Sequence, residues 1–342
     1  MQYTRLGNSG LIVSRLAFGA MTFTAGKPAI PSLMRAGPAL AAELVSRALD
    51  AGVTLFDTAD VYAGGESESL LGAALKPHRR KVLITTKVGM RMGRSLMDAG
   101  LSRRHILSAV DASLRRLDTD WIDVYVVHRE DPHVPLEETL AALDDIVRAG
   151  KVRYLGFSNW SAWTVAAALE FQRRNGLAPF THGQMYYSLL GRDIEREVLP
   201  MMRHYGLGLT VWSPLAFGFL TGKYRPGTLA DPEGRYSGFD ILPFDRVAGF
   251  ALVERMRGIA ARHGASVAQV ALAWLLAKDA VSSVILGATK LEQLDDNLAS
   301  ARLALTTEDV AELDAATPLP PAYPHWCQTT FTDRVTDEAL AR

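Results

Sequence analysis

The run IDVYVVH, from Ile122 to His128, is the stretch that decides the fold class. Its mostly apolar, β-branched and aromatic residues end at one polar side chain, a pattern typical of a strand that is buried on both faces. Seven further runs of this kind occur along the chain, and they are LAFGAM, TLFDTAD, KVLITTKVG, RYLGFSN, THGQMYYS, GLTVWSP and SSVILGAT. The repetition predicts eight buried strands.

Amphipathic segments of helical length separate most of these runs. One begins after Pro38 and ends at Gly52, a second begins at Ser102, which is a good N-cap residue, and a third runs from Pro135 to Gly150. Alternating buried strands and helices predict a parallel sheet that is covered on both faces. Eight such units in one chain predict an α/β fold of the (β/α)8 type, a TIM barrel.

Three segments fall outside the repeating units. The turn GNSG at residues 7–10 lies between two short extended runs and predicts an N-terminal β-hairpin. The segment from Pro214 to Arg246 is long and rich in glycine, proline and aromatic residues, with no helix expected near its start, and the tail TPLPPAYPHW at residues 317–326 is unsuited to a helix. We expect both to form packed loops on the C-terminal face of the barrel. No linker interrupts the chain, so we expect residues 1–342 to form a single domain.

The bulk composition excludes several classes of protein. Lys and Arg together number 37, and so do Asp and Glu, so no net charge attracts nucleic acid or an anionic membrane. No apolar run reaches the length of roughly 18 residues that a membrane span needs, and the N-terminus lacks a signal-peptide pattern. The single cysteine, Cys327, excludes an internal disulfide and a cysteine-based zinc cluster. We expect a soluble, cytoplasmic protein, and the composition does not indicate what it does.

A polar or otherwise unusual residue stands at the end of almost every apolar run. In chain order these residues are Asp57, Lys87, His128, Ser158, Asn159, Gln184, Trp212, Ser213 and Gly287. Successive runs place them 26 to 41 residues apart, about one strand–helix unit, except before Gly287. Because the C-terminal ends of barrel strands surround one mouth, where active sites lie, we expect these residues to face a common pocket.

Each of these residues also has an ordinary structural interpretation. An aspartate after a strand is often a helix N-cap, a lone lysine is usually solvated, and a lone histidine or tyrosine usually packs in the structure. A metal site can also be considered, because four potential ligands lie close together in the sequence: His128, Glu130, Asp131 and His133. Their spacing matches no ligand pattern, so we expect no metal.

The combination of Asp57, Tyr62, Lys87 and His128, here called the mouth cluster, suits the reduction of a carbonyl group. Tyr62 would donate the proton to the developing alkoxide, and Lys87 would stabilise the tyrosinate that is left. A cation at about 4 Å contributes up to ~4 kcal/mol at an effective dielectric constant near 20, which would lower the pKa of the phenol by roughly one to two units. Asp57 would balance the charge of Lys87, and His128 would orient the substrate oxygen.

At this point the sequence resembles the aldo-keto reductase family. The motif LFDTADVY at 55–62 with GGESE at 64–68 carries the acid and the tyrosine, ITTK at 84–87 carries the lysine, and VVH at 126–128 carries the histidine. Further matches are GFSN at 156–159, WSPL at 212–215, TGK at 221–223 and LGAT at 286–289. The resemblance spans nearly the whole chain. Its motifs are similar to those of bacterial members of the family that also resemble potassium-channel β subunits.

The resemblance implies a nicotinamide cofactor, NADPH in preference to NADH, held without a G-x-G-x-x-G motif. Ser158, Asn159 and Gln184 would hold the carboxamide, and Trp212 would stack on the nicotinamide ring. The other cofactor-binding positions that it implies are Gly19, Met21, Asp57, Ser213, Pro214, Leu215, Gly218, Leu220, Lys223, Gly287, Thr289, Gln293 and Asn297. Many relatives have a basic residue at the position of Thr289 or at that of Gln293, where it binds the 2′-phosphate of the cofactor. This chain has neither, and the nearest cation in the sequence is Lys290.

The resulting hypothesis is an NADPH-dependent reductase of aldehydes or ketones that also oxidises alcohols. One alternative is a nicotinamide-binding regulatory or sensor subunit with little turnover, and another is a metal-dependent hydrolase. We expect the substrate pocket to include Phe23, Tyr62, His128, Tyr224 and Trp326, with Tyr236 nearby, although packing within the loops is the alternative for the aromatic residues. The sequence marks no oligomeric interface.

Overall fold

A computed structural model describes residues 1–26, 30–229 and 234–341. Its first two strands, β1 and β2, form an antiparallel hairpin, and the next eight form a closed, all-parallel barrel in which β10 pairs with β3. The strands are β1 Tyr3–Arg5, β2 Ile12–Ser14, β3 Leu16–Gly19, β4 Leu55–Asp57, β5 Leu83–Val88, β6 Ile122–Val127, β7 Val152–Ser158, β8 Phe180–Tyr186, β9 Gly208–Trp212 and β10 Val281–Leu286. The eight apolar runs are the eight barrel strands, which confirms the predicted fold and hairpin.

Helices connect successive strands on the outside of the barrel. The α-helices are α1 Pro38–Asp50, α2 Glu66–Leu75, α3 Arg103–Leu117, α4 Leu136–Arg148, α5 Ala162–Asn175, α6 Val198–Tyr205, α7 Arg246–His263, α8 Val267–Leu276, α9 Leu291–Ala299, α10 Thr307–Ala316, α11 His325–Thr330 and α12 Arg334–Leu340. Short 3₁₀ helices cover Tyr62–Gly65, Lys76–Lys81, Asp193–Glu195, Ala216–Thr221, Arg235–Ser237 and Ser300–Arg302. Among the described residues no single helix is long and apolar enough to cross a bilayer, although α7 and α8 together, with a bend of 89° between them, have the length and composition for it.

Local signals set the ends of these helices. The Ser102 side chain accepts a hydrogen bond from the N–H of His105, so α3 begins at the predicted N-cap. Gly150, which follows α4, adopts φ +74°, a left-handed conformation that costs glycine little.

The tail departs from its prediction. Residues 317–324 are not helical, as their prolines require, but α11 begins directly after Pro324 and α12 follows it. The prediction was therefore wrong for His325 and Trp326, because proline disfavours helix for the residues before it and leaves the residues that follow free to form one.

Two apolar clusters fill the molecule. The larger lies between the barrel strands and the surrounding helices. The smaller brings Leu6 and Val13 of the hairpin region against barrel residues Ala17, Leu55 and Ile285, so the hairpin closes the N-terminal end of the barrel. The C-terminal end carries the polar residues, because Asp57, Ser158 and Trp212 are each the last residue of a strand.

Candidate active site

An ion pair between β4 and β5 lies at the centre of the C-terminal mouth. Lys87 is completely buried, and its Nζ donates to Asp57 Oδ2 at 2.7 Å and to the Thr58 carbonyl at 2.7 Å. The other Asp57 oxygen, Oδ1, accepts from Gln184 Nε2 at 2.7 Å. Both charges are therefore fully engaged, as buried charges need to be.

Tyr62 lies directly beside this pair, at the start of the 3₁₀ helix that follows β4. Its Oη is 3.4 Å from Lys87 Nζ, and the ammonium lies 5.0 Å from the centre of the phenol ring. The ring of His128, at the end of β6, meets the Tyr62 ring edge-on with 5.8 Å between centroids. The structure thus brings all four residues of the mouth cluster together.

The electrostatics of Tyr62 correct one expectation. Burial raises the pKa of the phenol, and this effect outweighs the lowering caused by Lys87, which Asp57 also partly opposes. For Lys87, burial lowers the pKa, but the attraction of Asp57 and Tyr62 more than compensates, so the pKa is raised overall. The phenol is therefore neutral and the ammonium charged at pH 7. Lysine reduces the cost of a tyrosinate here but does not bring the phenol pKa below its ordinary value.

His128 is a neutral imidazole at pH 7. Burial, together with the nearby charges of Lys87 and Arg129, lowers its pKa to about 3. Within the described part of the chain its Nδ1 is buried and has no hydrogen-bond partner. Because the ring is neutral, it can offer a hydrogen bond to another molecule without carrying a charge.

A chain of polar side chains runs from the mouth cluster towards Trp212. Ser158 Oγ donates to the Gln184 carbonyl at 2.7 Å. Asn159 Nδ2 donates to the His128 carbonyl at 3.0 Å, and Asn159 Oδ1 accepts from Trp212 Nε1 at 3.1 Å. The Trp212 ring lies 5.2 Å from that of Tyr186, which fixes its position on the rim.

Backbone strain is concentrated in the same loops. Six non-glycine residues of the described chain have positive φ, and all but Asp118 lie at or beside predicted site positions. These five are Ala63 at 49°, Asn159 at 59°, Ser213 at 52°, Ala216 at 45° and Phe217 at 51°. Such conformations cost of order 1–3 kcal/mol each and cluster at functional sites. The strain therefore marks this rim independently of the side-chain chemistry.

The remaining predicted cofactor positions lie on three segments around the mouth. Gly19 ends β3 opposite Asp57, and Met21 follows it. Pro214, Leu215, Gly218, Leu220 and Lys223 lie in and beside the 3₁₀ helix after β9, where Leu220 is fully buried. Gly287, Thr289, Gln293 and Asn297 follow β10, and Gln293 Oε1 accepts from both the N–H and the hydroxyl of Thr289.

One cation at this end of the site was missed by the sequence reasoning. A Cβ added to Gly287 would lie 3.8 Å from Nη2 of Arg235, so the guanidinium faces the end of β10. Lys290, the cation that the sequence suggested, is exposed at the N-cap of α9. No spacing rule could have found Arg235, because it lies in an irregular loop whose path depends on packing.

The aromatic residues expected in the substrate pocket need correction. Phe23 is fully buried and packs on Phe18 at 5.7 Å, so it belongs to the core. Tyr224 and Tyr236 are also buried, and they pack on Phe219 and on each other. Packing, the alternative interpretation, therefore holds for all three. Phe23 packs on a strand residue, and the loop after β9 buries its own Tyr224 and Tyr236.

Trp326 occupies a different place, on the C-terminal tail. Its ring lies between Tyr323 and Phe331, and the side chain is 41% exposed. Of the five residues expected in the pocket, Tyr62 and His128 are the two that the structure brings together.

The acidic residues of the possible metal cluster are engaged in loop contacts. Glu130 Oε1 accepts from both the N–H and the hydroxyl of Ser161, and Asp131 accepts from the N–H groups of Leu101 and His133. In the described ranges no group of three or more His, Cys, Asp or Glu side chains could hold a metal ion.

The donors at the mouth fit a nicotinamide carboxamide, which offers two N–H donors and one carbonyl acceptor. Gln184 uses one Nε2 hydrogen on Asp57, and Asn159 Oδ1 accepts one bond from Trp212, so both amides keep unused hydrogen-bonding capacity. Gly218, at φ +91°, keeps the neighbouring backbone free of a side chain.

Comparison with known proteins gives one consistent result. Residues 15–318 match the model of the Aldo/keto reductase family. A "Probable voltage-gated potassium channel subunit beta" of Oryza sativa subsp. japonica is 38% identical over 329 residues, which cover 92% of this chain and 96% of that protein. "Versiconal hemiacetal acetate reductase" of Aspergillus parasiticus is 36% identical over 92% of this chain and 96% of its own length. "Probable aldo-keto reductase 1" of Glycine max is 35% identical over 93% of this chain and 90% of its own length. The chain therefore belongs to the aldo/keto reductase family of oxidoreductases.

Proposed function

We propose that this protein reduces an aldehyde or a ketone with NADPH, and oxidises the corresponding alcohol in the reverse direction, with Tyr62 as the general acid. The observation that carries the proposal is the position of Lys87, whose ammonium is bonded to Asp57 and lies 3.4 Å from the Tyr62 hydroxyl. Few other reactions need a neutral phenol held against a buried cation.

Tyr62 delivers its proton to the carbonyl oxygen as negative charge develops there. Lys87 stabilises the tyrosinate that remains, and Asp57 fixes the ammonium in place. His128 donates a hydrogen bond to the same oxygen while uncharged, so it orients the carbonyl without competing as an acid. A bound reduced nicotinamide supplies the hydride for the carbonyl carbon.

The cofactor assignment is supported by the residues around the mouth. Members of this family generally use NAD(P)H. In this chain Ser158, Asn159 and Gln184 would hold the carboxamide, and Trp212 would cover the ring. We assign NADPH because Arg235 lies beside Gly287 and Lys290 lies three residues further along the chain, where either could pair with a phosphate.

The test measures loss of NADPH absorbance with an aromatic aldehyde as substrate. Wild type should turn over, and Tyr62→Phe should lose at least ~10²-fold in kcat, the lower range of general acid catalysis. Tyr323→Phe removes a hydroxyl from a side chain that is 77% exposed on the tail, and it should match wild type. Equal rates in wild type and Tyr62→Phe would show that the acid is misassigned. A chelator should not inhibit this turnover, whereas the metal-dependent hydrolase predicts no oxidation of NADPH and a hydrolysis that chelators inhibit.

A second candidate is a nicotinamide-binding regulatory or sensor subunit with little turnover. It is favoured by the relatives whose names describe potassium channel β subunits. Multiple turnovers with a small carbonyl panel would exclude it, whereas one slow oxidation of bound NADPH per protein would support it.

We also propose that residues 1–342 form one domain. The Asn8 N–H donates to the Gly206 carbonyl, and Arg196 Nη2 donates to the Pro320 carbonyl. The hairpin and the start of the tail are thereby attached to the barrel.

A further inference from the structure

Asp60 is a buried carboxyl group for which the proposed reaction has no use. It lies between Asp57 and Tyr62 in the chain, and its side chain is completely buried. Within the described residues neither carboxylate oxygen has a hydrogen-bond partner of normal geometry, and the nearby Val61 N–H does not cancel the effect of burial on the pKa of Asp60. An ionised carboxylate in such a place is costly, so a structural role alone does not explain it.

The charges that face Asp60 come from three neighbouring elements, α2, α3 and β5. On α2, Glu68 is fully buried and accepts from Arg116 Nε of α3 and from Thr86 Oγ1 of β5. On β5, Lys87 is already paired with Asp57. Of this group, Asp60 and Glu68 therefore share a single cation, Arg116.

Two tyrosines complete the surroundings of Asp60. Tyr125 of β6 is fully buried, and its hydroxyl has no partner among the described residues. On the turn itself, Tyr62 lies two residues further along the chain. The group is electrically balanced only when Asp60 carries a proton.

We propose that Asp60 is a positioning residue that carries a proton below neutral pH, and that its ionisation makes it harder for Tyr62 to release its own proton. Burial and the charge of Glu68 raise the pKa of Asp60 to about 7, against weaker opposing effects of Val61, Arg116 and Lys87. The negative charge of Asp60 in turn raises the pKa of Tyr62.

The effect of Asp60 on catalysis rests on the proposed function, whereas its effect on the Tyr62 proton does not. Alcohol oxidation requires Tyr62 to accept a proton, so it begins from the tyrosinate. Below neutral pH, Asp60 is uncharged and does not oppose formation of that tyrosinate. Above neutral pH, the carboxylate opposes it. The rate of alcohol oxidation rises with pH as the tyrosinate forms. Asp60, once ionised, would make this rise smaller.

The first experiment does not depend on turnover. The ¹³Cζ signal of Tyr62, assigned by its loss in Tyr62→Phe, is followed by NMR between about pH 5 and 9 in a labelled protein. Wild type should show a step near neutral pH that reports ionisation of Asp60. The step should vanish in Asp60→Asn and persist in Asp60→Glu and in Asp120→Asn, an exposed control. A flat Tyr62 signal in wild type, or a step that survives in Asp60→Asn, overturns the proposal.

A direct titration covers the case in which Asp60→Asn fails to fold. The ¹³C carboxyl signal of Asp60 in wild type should move near neutral pH. Ionisation close to the ordinary value of about 4 would overturn the proposal without any variant.

The second experiment measures the pH dependence of kcat/KM for oxidation of benzyl alcohol with NADP⁺. The Tyr62 ionisation should move to lower pH by roughly half a unit in Asp60→Asn, as expected for removal of one charge at short range. An unchanged profile would contradict the catalytic effect of Asp60. If wild type itself turns over nothing, the proposed function fails, whereas the NMR result still decides the state of Asp60 and its influence on Tyr62.

Discussion

The two ends of the barrel use the same strands for opposite purposes. At the N-terminal end, Leu6 and Val13 pack on Leu55 and Ile285, and this cluster is apolar throughout. At the C-terminal end, two residues beyond Leu55 on the same strand, Asp57 binds the fully buried ammonium of Lys87. The closed end therefore stabilises the barrel, while the open end holds buried charge and strained backbone that a purely structural mouth would not need.

This contrast separates two kinds of sensitivity. A substitution at the closed end should lower the free energy of unfolding and leave the chemistry of the folded protein unchanged. A substitution at the open end should remove activity even where stability can be restored. The following variants test whether the two ends are separable in this way.

The largest effect is expected for Lys87→Met. Removal of the ammonium leaves Asp57 as a buried charge without its partner, which costs roughly 3–5 kcal/mol of stability. The double variant Lys87→Met/Asp57→Asn should recover most of that loss, because neither charge remains. Urea unfolding measures the stability, and NADPH oxidation should stay at least ~10²-fold below wild type in both variants. Recovery of activity in the double variant would show that the ion pair only supports the fold.

The next effect concerns Asp60 and the pH dependence of stability. Its pKa is raised to about 7 in the folded protein, so the folded state binds one more proton than the unfolded state between about pH 4 and 7. Stability is then lost as pH rises across this window, by up to about 4 kcal/mol, and stays constant above it. The free energy of unfolding is measured with urea at several pH values for wild type and for Asp60→Asn. The difference between the two proteins should isolate the pH dependence that Asp60 contributes.

His128 and His182 also make stability depend on pH, but their contribution is the same in both proteins and cancels in the difference. Burial lowers the pKa of each to about 3, so they destabilise the fold as pH falls below about 6.5, in both proteins alike. Parallel curves for wild type and Asp60→Asn would show that Asp60 is already ionised at low pH.

A smaller effect is expected at the closed end. Leu55→Ala removes a side chain that is 2% exposed in the smaller apolar cluster, and it should cost about 2–4 kcal/mol of unfolding free energy. The kcat of the folded enzyme should remain within about threefold of wild type, because Leu55 belongs to the apolar cluster at the closed end and has no role in the proposed chemistry. A loss of activity as large as that of Lys87→Met would mean that the two ends are not independent.

The architecture could be predicted well from the sequence because repetition carries it. Eight similar apolar runs separated by helical segments leave few folds to consider, and the recurrence of strand ends at one mouth was enough to group Asp57, Lys87 and His128. Ser102 and Gly150 could likewise be assigned to helix ends, since capping depends on neighbours in the chain.

What the sequence could not predict depends on burial by distant segments. Phe23 and Tyr224 are aromatic residues of the kind that line pockets, but the folded protein buries both side chains. The pKa of Tyr62 is raised because desolvation outweighs Lys87, and only the packed structure gives that balance. Asp60 resembles any other loop acid in the sequence, whereas the fold leaves its oxygens without a partner among the described residues. Arg235 lies next to Gly287 through the path of an irregular loop.

The central claim is that Tyr62 supplies the proton for carbonyl reduction, and single-turnover kinetics test it most directly. Wild type and Tyr62→Phe are saturated with NADPH, mixed rapidly with an aromatic aldehyde, and followed by NADPH absorbance, while cofactor affinity is measured by fluorescence on the same samples. We predict that the rate falls by at least ~10²-fold in Tyr62→Phe, while the Kd for NADPH changes by less than about threefold, because the phenol is not among the cofactor's proposed contacts. Equal single-turnover rates in the two proteins would contradict the account.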